Sequence, residues 1–326
     1  MKAIIPAAGM GTRLLPHTLT RPKVMLQVAG KPIIGHIADT LKQAGITHLS
    51  IIVGYKKERV IEYFSTLQGL SCDFPEQKEK LGLGHAVLYG LEDCDDPVLI
   101  VLGDTIINTD YNAFIARKTN TLGVVQVDDP KHFGIVVTND KGYVISMVEK
   151  PENPPGNLAI AGLYLIQHQG LLKAALEKLI RDNKRTRGEF QLTDALKLMM
   201  EQGELFSVAE IDNWMDCGKK ETLLETNRVL LQKNEKTLDT KNTEHCVIIP
   251  PVYISPNAVV NESVIGPNVS ISSKTTVKNS VIRDSIIYEE ATVENMLLTS
   301  TIIGQKAIVK GQLKSLNLGD FSETIE

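Results

Sequence analysis

The tightest constraint on the fold lies in the last quarter of the chain, where apolar residues recur at a short, fixed spacing. Ile254, Val260, Ile265, Ile271, Val277, Ile282, Ile287, Val293, Leu298, Ile303 and Val309 follow one another every five or six residues. Between Val247 and Val309, 21 of 63 residues are Val or Ile, and beyond Cys246 the aromatic residues are Tyr253, Tyr288 and Phe321. Five stretches share an Ile, three mostly small or polar residues, and then a small or β-branched one. They begin at Ile254, Ile265, Ile271, Ile287 and Ile303. A β-sandwich would alternate by two, and this period is longer. A fixed short period marks a solenoid, whose coils are each too small to bury a core alone and therefore stack. A six-residue step suits one flat side of a triangular β-helix.

Up to about residue 232 the pattern is different. Apolar strands alternate with helix-like segments, the signature of α/β layers around a largely parallel sheet. Lys2–Pro6 reads as a buried strand followed by a glycine-rich loop. Pro32–Ala44 carries Ile33, Ile37, Leu41 and Ala44 at helical spacing and stops at Gly45. Leu49–Val53 reads as a strand, Lys56–Phe64 as a helix, Leu83–Leu91 as a helix, and Val98–Leu102 as a strand running into Gly103-Asp104. The stretch from Leu122 to Ile166 is strand-rich. Helices follow near Leu171–Arg181, Gln191–Gln202 and Glu221–Asn234. Residues 233–246 are polar and aperiodic. The expected organisation is a domain over 1–235, a linker over 236–246 and a β-helix domain over 247–326, in keeping with about two domains for 326 residues.

Charge and composition exclude several classes. With 35 Lys+Arg against 39 Asp+Glu, the net charge of −4 does not suit a chain that binds nucleic acid through its overall field. No apolar run approaches the roughly 18 residues of a membrane span, and the apolar start before Gly9 is too short for a signal peptide. Cys72, Cys94, Cys217 and Cys246 lack disulfide or metal spacing. A reducing cytoplasm is the expected location, with neither membrane nor nucleic acid as partner.

The residues that carry chemistry lie in the first half. Residues 9–23 read Gly-Met-Gly-Thr-Arg-Leu-Leu-Pro-His-Thr-Leu-Thr-Arg-Pro-Lys. After a strand, two glycines let the backbone turn N–H groups toward an anion. Leu14 stands where the dinucleotide fingerprint has its third glycine, and the Gly-Lys-Ser/Thr ending of a Walker A loop is missing. Arg13 and Lys23 instead offer positive charge to a triphosphate; a tight turn with two solvated cations is the plainer alternative. Asp104 ends an apolar strand, where ligands bind in open α/β sheets, and Asp216 lies in Trp214-Met-Asp-Cys-Gly218 beside the single tryptophan. Two carboxylates near a phosphate site are natural holders of Mg²⁺, although each alone also reads as a cap or turn residue. Glu149-Lys150-Pro151 follows a strand and supplies a further cation beside an acceptor. Ser, His and Asp form no recognisable nucleophile elbow, and Cys217 has no His near it in sequence. Cations with paired carboxylates suit direct phosphoryl or nucleotidyl transfer.

Gly9-x-Gly-Thr-Arg-Leu with Pro22-Lys23, then Gly103-Asp104, Phe133-Gly134, Glu149-Lys150-Pro151 and Trp214-x-Asp216-x-Gly218, resemble the sugar-1-phosphate nucleotidyltransferases in that family's order. The likeness is greatest to glucose-1-phosphate thymidylyltransferases and uridylyltransferases of the long form with a C-terminal left-handed β-helix. The resemblance implies an α/β, Rossmann-like nucleotidyltransferase core with a mixed central sheet, plus a C-terminal left-handed parallel β-helix built of hexapeptide repeats. It implies attack of the sugar 1-phosphate oxygen on the α-phosphorus of dTTP or UTP, with pyrophosphate leaving and Mg²⁺ as cofactor. Carried over, Arg13, Lys23 and Lys150 are catalytic cations, and Asp104 and Asp216 hold the metal. Ala8, Gly9, Gly11, Thr12, Arg13, Gln77 and Gly82 bind the nucleotide, the Gln77 amide pairing with a uracil or thymine imide edge. Gly134, Glu149, Lys150, Gly162 and Tyr164 bind the sugar phosphate, and Gly188-Glu189 resembles a further segment near it. Side-by-side packing of such β-helices implies a homo-oligomer.

The sequence departs from the family at Thr105, commonly Asn, at Gln27, commonly Pro, and at Cys217, usually Thr. None of these removes a charged group, but they leave open thymine against uracil and the sugar. A mannose-1-phosphate guanylyltransferase is the alternative enzyme, disfavoured by Gln77. A bifunctional uridylyltransferase/acetyltransferase needs a histidine in a long β-helix, and no histidine follows Cys246. A non-catalytic regulatory homologue would lose the loop cations or aspartates, all of which are present.

Overall fold

The structure is a computed structural model that describes residues 1–233 and 242–313. The 236–241 part of the expected linker and Asn234 of the expected last helix lie outside the described residues. The chain forms two compact units. One joins Met1–Gln27 to Lys31–Leu223, and the other joins Val28–Gly30 to the chain from Leu224 onward.

The first unit is built on a mixed nine-stranded sheet. At its centre Lys2–Pro6 buries Ala3, Ile4 and Ile5 completely, as expected of a strand covered on both faces. His48–Ile52 runs parallel to it on one side, with Ala3 beside Leu49. Val98–Val101 runs parallel on the other, with Lys2 beside Val98. The chain thus leaves the central strand toward one flank and later returns on the other, which opens a crevice at the carboxyl ends of Lys2–Pro6 and Val98–Val101. Leu158–Ile166 then lies antiparallel to Val98–Val101, with Tyr164 beside Ile100. Ser71–Asp73, Asn120–Gln126, Gly134–Thr138, Val144–Glu149 and Phe206–Glu210 complete the sheet. Half of this sheet is antiparallel, so the mixed sheet implied by the family resemblance holds and the largely parallel one read from alternation does not. The reason is the strand-rich middle, where Gly134–Thr138 and Val144–Glu149 form a hairpin and Leu158–Ile166 pairs antiparallel with Val98–Val101, Asn120–Gln126 and Gly134–Thr138.

Helix Ile33–Gln43 buries Ile33, Ile34, Ile37, Ala38 and Leu41 on one face, and Gly45 follows with φ 78°. Gln169–Arg181 and Leu192–Glu201 bury Leu172, Leu176, Leu179, Leu196 and Met199 in the core around Phe190 and Phe206. The helices and strands fall within a few residues of the sequence reading, apart from a shorter Leu83–Leu88 helix. Several short elements escaped it, among them helix Tyr111–Ile115 and strands Ser71–Asp73 and Phe206–Glu210. So did Thr105–Asn108 and Asn213–Asp216, which pair antiparallel as a small separate sheet with Asp216 beside Thr105.

The second unit is a left-handed parallel β-helix. Its short strands stack into three parallel sheets of five, four and four strands. Each coil advances 17 residues in the first turns, Val264 lying beside Val281, and 16 in the later ones, Val281 lying beside Leu297. That is slightly less than three full hexads, which accounts for the five-or-six spacing. Val260, Ile265, Val269, Ile271, Val277, Ile282, Ile287 and Val293 fill the interior with no exposed surface. At the corners the backbone enters the left-handed region at Glu262, Asn268, Lys274, Asn279, Asp284, Glu290, Asn295, Ser300 and Lys306. The N–H groups of these corners donate to the coil below, as from Asn279 to Asn261 O at 3.1 Å and from Asp284 to Pro267 O at 2.9 Å. The ladder bonds offset the cost that non-glycine residues incur with positive φ. Thr243–Glu244 already belongs to this stack, paired with Val259–Asn261.

Asn227, on helix Lys220–Lys233, ties the second unit together. It is 1% exposed. Its Oδ1 accepts from the Ala29 N–H at 2.9 Å and from Ser270 Oγ at 2.6 Å, while its Nδ2 donates to Asn268 O at 3.2 Å. Asn227→Ala strands several buried polar groups at once, at roughly 1–3 kcal/mol for an orphaned group. Thermal unfolding should show a loss of about 2–4 kcal/mol for this variant and a smaller one for Ser270→Ala.

Candidate active site

The site forms where two strands end side by side. Gly103 N–H donates to Pro6 O at 3.2 Å. A Cβ on Gly103 would lie 2.7 Å from that same oxygen, so the two backbones can approach only because residue 103 is glycine. Pro6 and Gly103 thereby bring the loop that starts at Ala7 against the segment that carries Asp104.

The loop closes on itself through Leu14 N–H to Gly11 O at 3.0 Å and Thr18 Oγ1 to the same oxygen at 3.0 Å. Gly11 has φ 76°, and a Cβ there would stand 2.7 Å from Lys23 Cβ. Glycine at 11 therefore serves twice, supplying the left-handed turn and making room for the lysine stem. Lys23 opens a short 3-10 turn, Lys23–Met25, and is 6% exposed. Its Nζ donates to Asp104 Oδ2 at 2.7 Å.

The small sheet supplies the second carboxylate. Asp216 stands opposite Thr105, and Cys217 N–H donates to Asp104 O at 3.1 Å. The strand is anchored by Trp214, whose Nε1 donates to Ala161 O at 3.0 Å and whose ring meets Phe133 edge-on. A Cβ on Gly218 would lie 2.8 Å from Asp216 Oδ2 and 3.0 Å from Arg13 Nη2, so the solvent-facing Arg13 reaches Asp216 across this glycine. Burial raises the Asp216 carboxyl above its ordinary range. The cation of Lys23 lowers it, the charge of Asp104 raises it, and Arg13 and the Gly218 N–H lower it. Two carboxylates and two cations therefore share one half-buried space.

A second cluster lies along Val144–Glu149 and its neighbours. Gly134 stands opposite Glu149, and a Cβ on Gly134 would be 3.1 Å from Glu149 Oε2. Thr193 Oγ1 donates to Glu149 Oε2 at 2.7 Å, and Lys150 Nζ lies 3.2 Å from Glu149 Oε1. Lys150 has φ 42°, and its N–H donates to Phe133 O at 3.0 Å. Its carbonyl accepts from Arg187 Nη2 at 2.7 Å. Gly162, φ 88°, occupies the irregularity in Leu158–Ile166, with Leu102 where a Cβ would be. Tyr164 is buried. Desolvation raises its hydroxyl pKa, and the charges of Glu149 and Asp104 add to the shift. The ring thus lies within electrostatic reach of both clusters.

Gln77 and Gly82 form a third group. Gln77 N–H donates to Val53 O at 2.9 Å, just beyond His48–Ile52, and Tyr55 N–H donates to Ala8 O at 3.4 Å. Gln77 Nε2 donates to Gly82 O at 3.1 Å. A Cβ on Gly82 would collide with Glu189 Cβ at 2.8 Å, which places the Gly188-Glu189 segment against this group.

The structure therefore gathers Gly11, Arg13, Lys23, Asp104 and Asp216 in one place, and Gly134, Glu149 and Lys150 in another. Gly162 and Tyr164 lie in the strand between them. Ala8 is buried in the turn beside Gly54, and Gly9 and Thr12 lie in the open loop. Sequence reasoning missed Thr193, Gly218, Arg187 and His85 as members of the site. Gly218 stood inside the quoted Trp-x-Asp-x-Gly pattern and His85 only eight residues past Gln77, so both were within reach; Thr193 and Arg187 are brought in by tertiary contacts. Among the described residues no cluster of three or more His, Cys, Asp or Glu is placed to hold a metal. Asp104 and Asp216 form a pair of hard oxygen donors, which fits a cation that keeps water and substrate phosphate as its other ligands. No helix among the described residues is long and apolar enough to cross a membrane.

Comparison with known proteins places this geometry. The family described as nucleotidyl transferase matches residues 2–233. The chain is 36% identical over 259 residues to the bifunctional protein GlmU of Methanocaldococcus jannaschii, covering 79% of this chain and 61% of that protein. It is 32% identical to the UTP–glucose-1-phosphate uridylyltransferase AglF of Haloferax volcanii, covering 73% of this chain and the whole of that one. The structure of a UDP-glucose pyrophosphorylase complexed with UDP-glucose superposes with a TM-score of 0.61 at 25% identity, over 72% of this chain and 99% of that chain. The chain spans about three fifths of the length of the GlmU relative. With strand ends, paired carboxylates and loop cations arranged in this way over the matched residues, the chain belongs to the nucleotidyl transferase family.

Proposed function

We propose that this protein transfers a nucleotidyl group from UTP or dTTP to a sugar 1-phosphate, with glucose 1-phosphate as the preferred acceptor. The observation that carries the reading is the convergence of Arg13 and Lys23 on Asp104 and Asp216 at the carboxyl ends of two adjacent strands. A bare triphosphate brings several negative charges, and the loop offers it backbone N–H groups and two cations. Arg13, which faces solvent, holds the triphosphate and takes the charge of the departing pyrophosphate. Lys23 neutralises charge at the reacting phosphates. Asp104 and Asp216 would hold Mg²⁺, which supplies charge neutralisation at the nucleotide oxygens when bound. Lys150 grips the phosphate of the sugar phosphate, and Glu149, turned by Thr193, accepts hydroxyls of the sugar.

The phosphate oxygen of the sugar 1-phosphate forms a bond to the α-phosphorus as the bond to pyrophosphate breaks. No protein nucleophile is needed. The protein contributes orientation and fixed charge, which account for most of the acceleration in such transfers.

Pyrophosphate release measured over a grid of ATP, GTP, CTP, UTP and dTTP against several sugar 1-phosphates tests the reading. Activity should concentrate in UTP or dTTP with glucose 1-phosphate; a preference for GTP with mannose 1-phosphate, or no activity anywhere, overturns it. Asp104→Asn keeps the shape and removes the charge, and should lower kcat by about a hundredfold or more. Activity unchanged in Asp104→Asn contradicts the role given to that carboxylate. Gly11→Ala should cost about 1–3 kcal/mol of stability through backbone strain. It should also lower kcat/KM by roughly tenfold or more, because the new methyl displaces the Lys23 stem.

A further inference from the structure

The transfer chemistry leaves the surroundings of Gln77 unexplained. Gln77 is 7% exposed, and its Nε2 has two hydrogens to place. One goes to Gly82 O at 3.1 Å and the other to His85 Nδ1 at 3.1 Å. With both donors engaged inside, Oε1 is the amide atom left for a ligand, and it can only accept. His85 Nδ1 accepts only when the ring is neutral with its proton on Nε2.

We infer that His85 is a positioning residue for base selection: by accepting from Gln77 Nε2 it keeps Oε1 turned toward the nucleobase. The site then takes a base that offers a ring N–H at that point, as the imide of uracil or thymine does, and disfavours cytosine, whose ring nitrogen is an acceptor. This rests on the pyrimidine nucleotide reading above. A doubly protonated His85 would face Gln77 Nε2 with an N–H of its own. Two donors cannot pair, so the amide would turn over, and its NH₂ would then meet the base.

The setting keeps the ring neutral in ordinary buffers. Desolvation lowers the His85 pKa, partly opposed by the backbone bond to Glu79 and by the Glu79 carboxylate, so the ring charges only in acid, below the usual histidine range. Tyr89 packs its ring edge-to-face with the imidazole, centroids 5.2 Å apart. The other elements packed on the Leu83–Leu88 helix present the Leu176 side chain and the Phe190 carbonyl at Gly84, and Ile4 just past its end at Gly90.

The test compares KM and kcat for UTP and CTP, at fixed sugar 1-phosphate, from about pH 8 to about pH 5. It uses the wild type, His85→Gln and His85→Leu. Glutamine offers an accepting oxygen that does not titrate, and leucine offers none. In the wild type the UTP KM should rise about tenfold toward acid, the worth of one hydrogen bond, and the preference for UTP over CTP should fall by the same factor. His85→Gln should hold that preference flat across pH, and His85→Leu should show a reduced preference throughout. The same preference-against-pH curve in wild type and His85→Gln, or an unreduced preference in His85→Leu, overturns the inference. A wild type that uses neither UTP nor dTTP at any pH refutes the pyrimidine reading itself, and the role of His85 falls with it. That result is distinct from an active enzyme whose preference does not move.

Discussion

The site depends first on one backbone contact, the hydrogen bond between Gly103 and Pro6. Two parallel strands register with Ala3 beside Leu99 and Ile4 beside Ile100, so their carboxyl ends arrive together. Past those ends the chains must diverge, and the space between them is the natural ligand crevice of an open α/β sheet. A side chain at 103 would meet Pro6 O at 2.7 Å and push Asp104 away from the loop. The placement of Asp104, Lys23 and Asp216 descends from that contact. Asp104 follows it directly, Lys23 is oriented by Asp104, and Asp216 is brought in because its strand pairs with the residues after Asp104.

The charges gathered there are poorly explained as a stabilising device. A buried or half-buried ion pair gives up hydration that its attraction only partly returns, and burial pushes the Asp216 carboxyl upward. Two carboxylates close enough to affect one another add repulsion. Such an arrangement makes sense when its remaining demand is met by a ligand, which in the proposed reaction is a highly charged phosphate chain with a divalent cation. His85 at Gln77 repeats the logic in uncharged form. There internal hydrogen bonds hold the amide nitrogen, and Oε1 is the atom that the inference above gives to the base.

Much of this was legible in the sequence, for reasons that differ by region. The solenoid announced itself because each coil repeats one physical problem, filling a narrow interior with Val and Ile, at a period set by the coil perimeter. The left-handed corners were not legible: residues as unlike as Glu262, Ser300 and Lys306 occupy them, since the stacked backbone rather than the side chain imposes the turn. Lys2–Pro6 and Val98–Val101 could be read as strands because continuous burial leaves a continuous apolar run. The pairing of Thr105–Asn108 with Asn213–Asp216 could not be read, because it joins residues about a hundred positions apart. Thr193 shares this limitation, its partner Glu149 lying 44 positions away; nothing in its local spacing points to that partner. The membership of Val28–Gly30 in the second unit is equally non-local, resting on Asn227 and on Tyr253, whose ring lies where a Gly30 Cβ would be.

The way recognition is divided follows from the energies available to each group. In the proposed reaction, phosphate contacts through Arg13, Lys23 and Lys150 would be strong but nearly blind to the base and the sugar, because any nucleoside triphosphate presents the same oxygens. Selection must therefore come from groups that discriminate by hydrogen-bond polarity, where a mismatch strands a buried donor or acceptor at a cost of roughly 1–3 kcal/mol. Gln77 suits that task only if its amide cannot turn over freely. A free amide offers either face and rejects little; one held by Gly82 O and His85 Nδ1 offers a single face. On the proposed reading, selectivity at the base is set by how firmly the protein binds the other end of its own side chain.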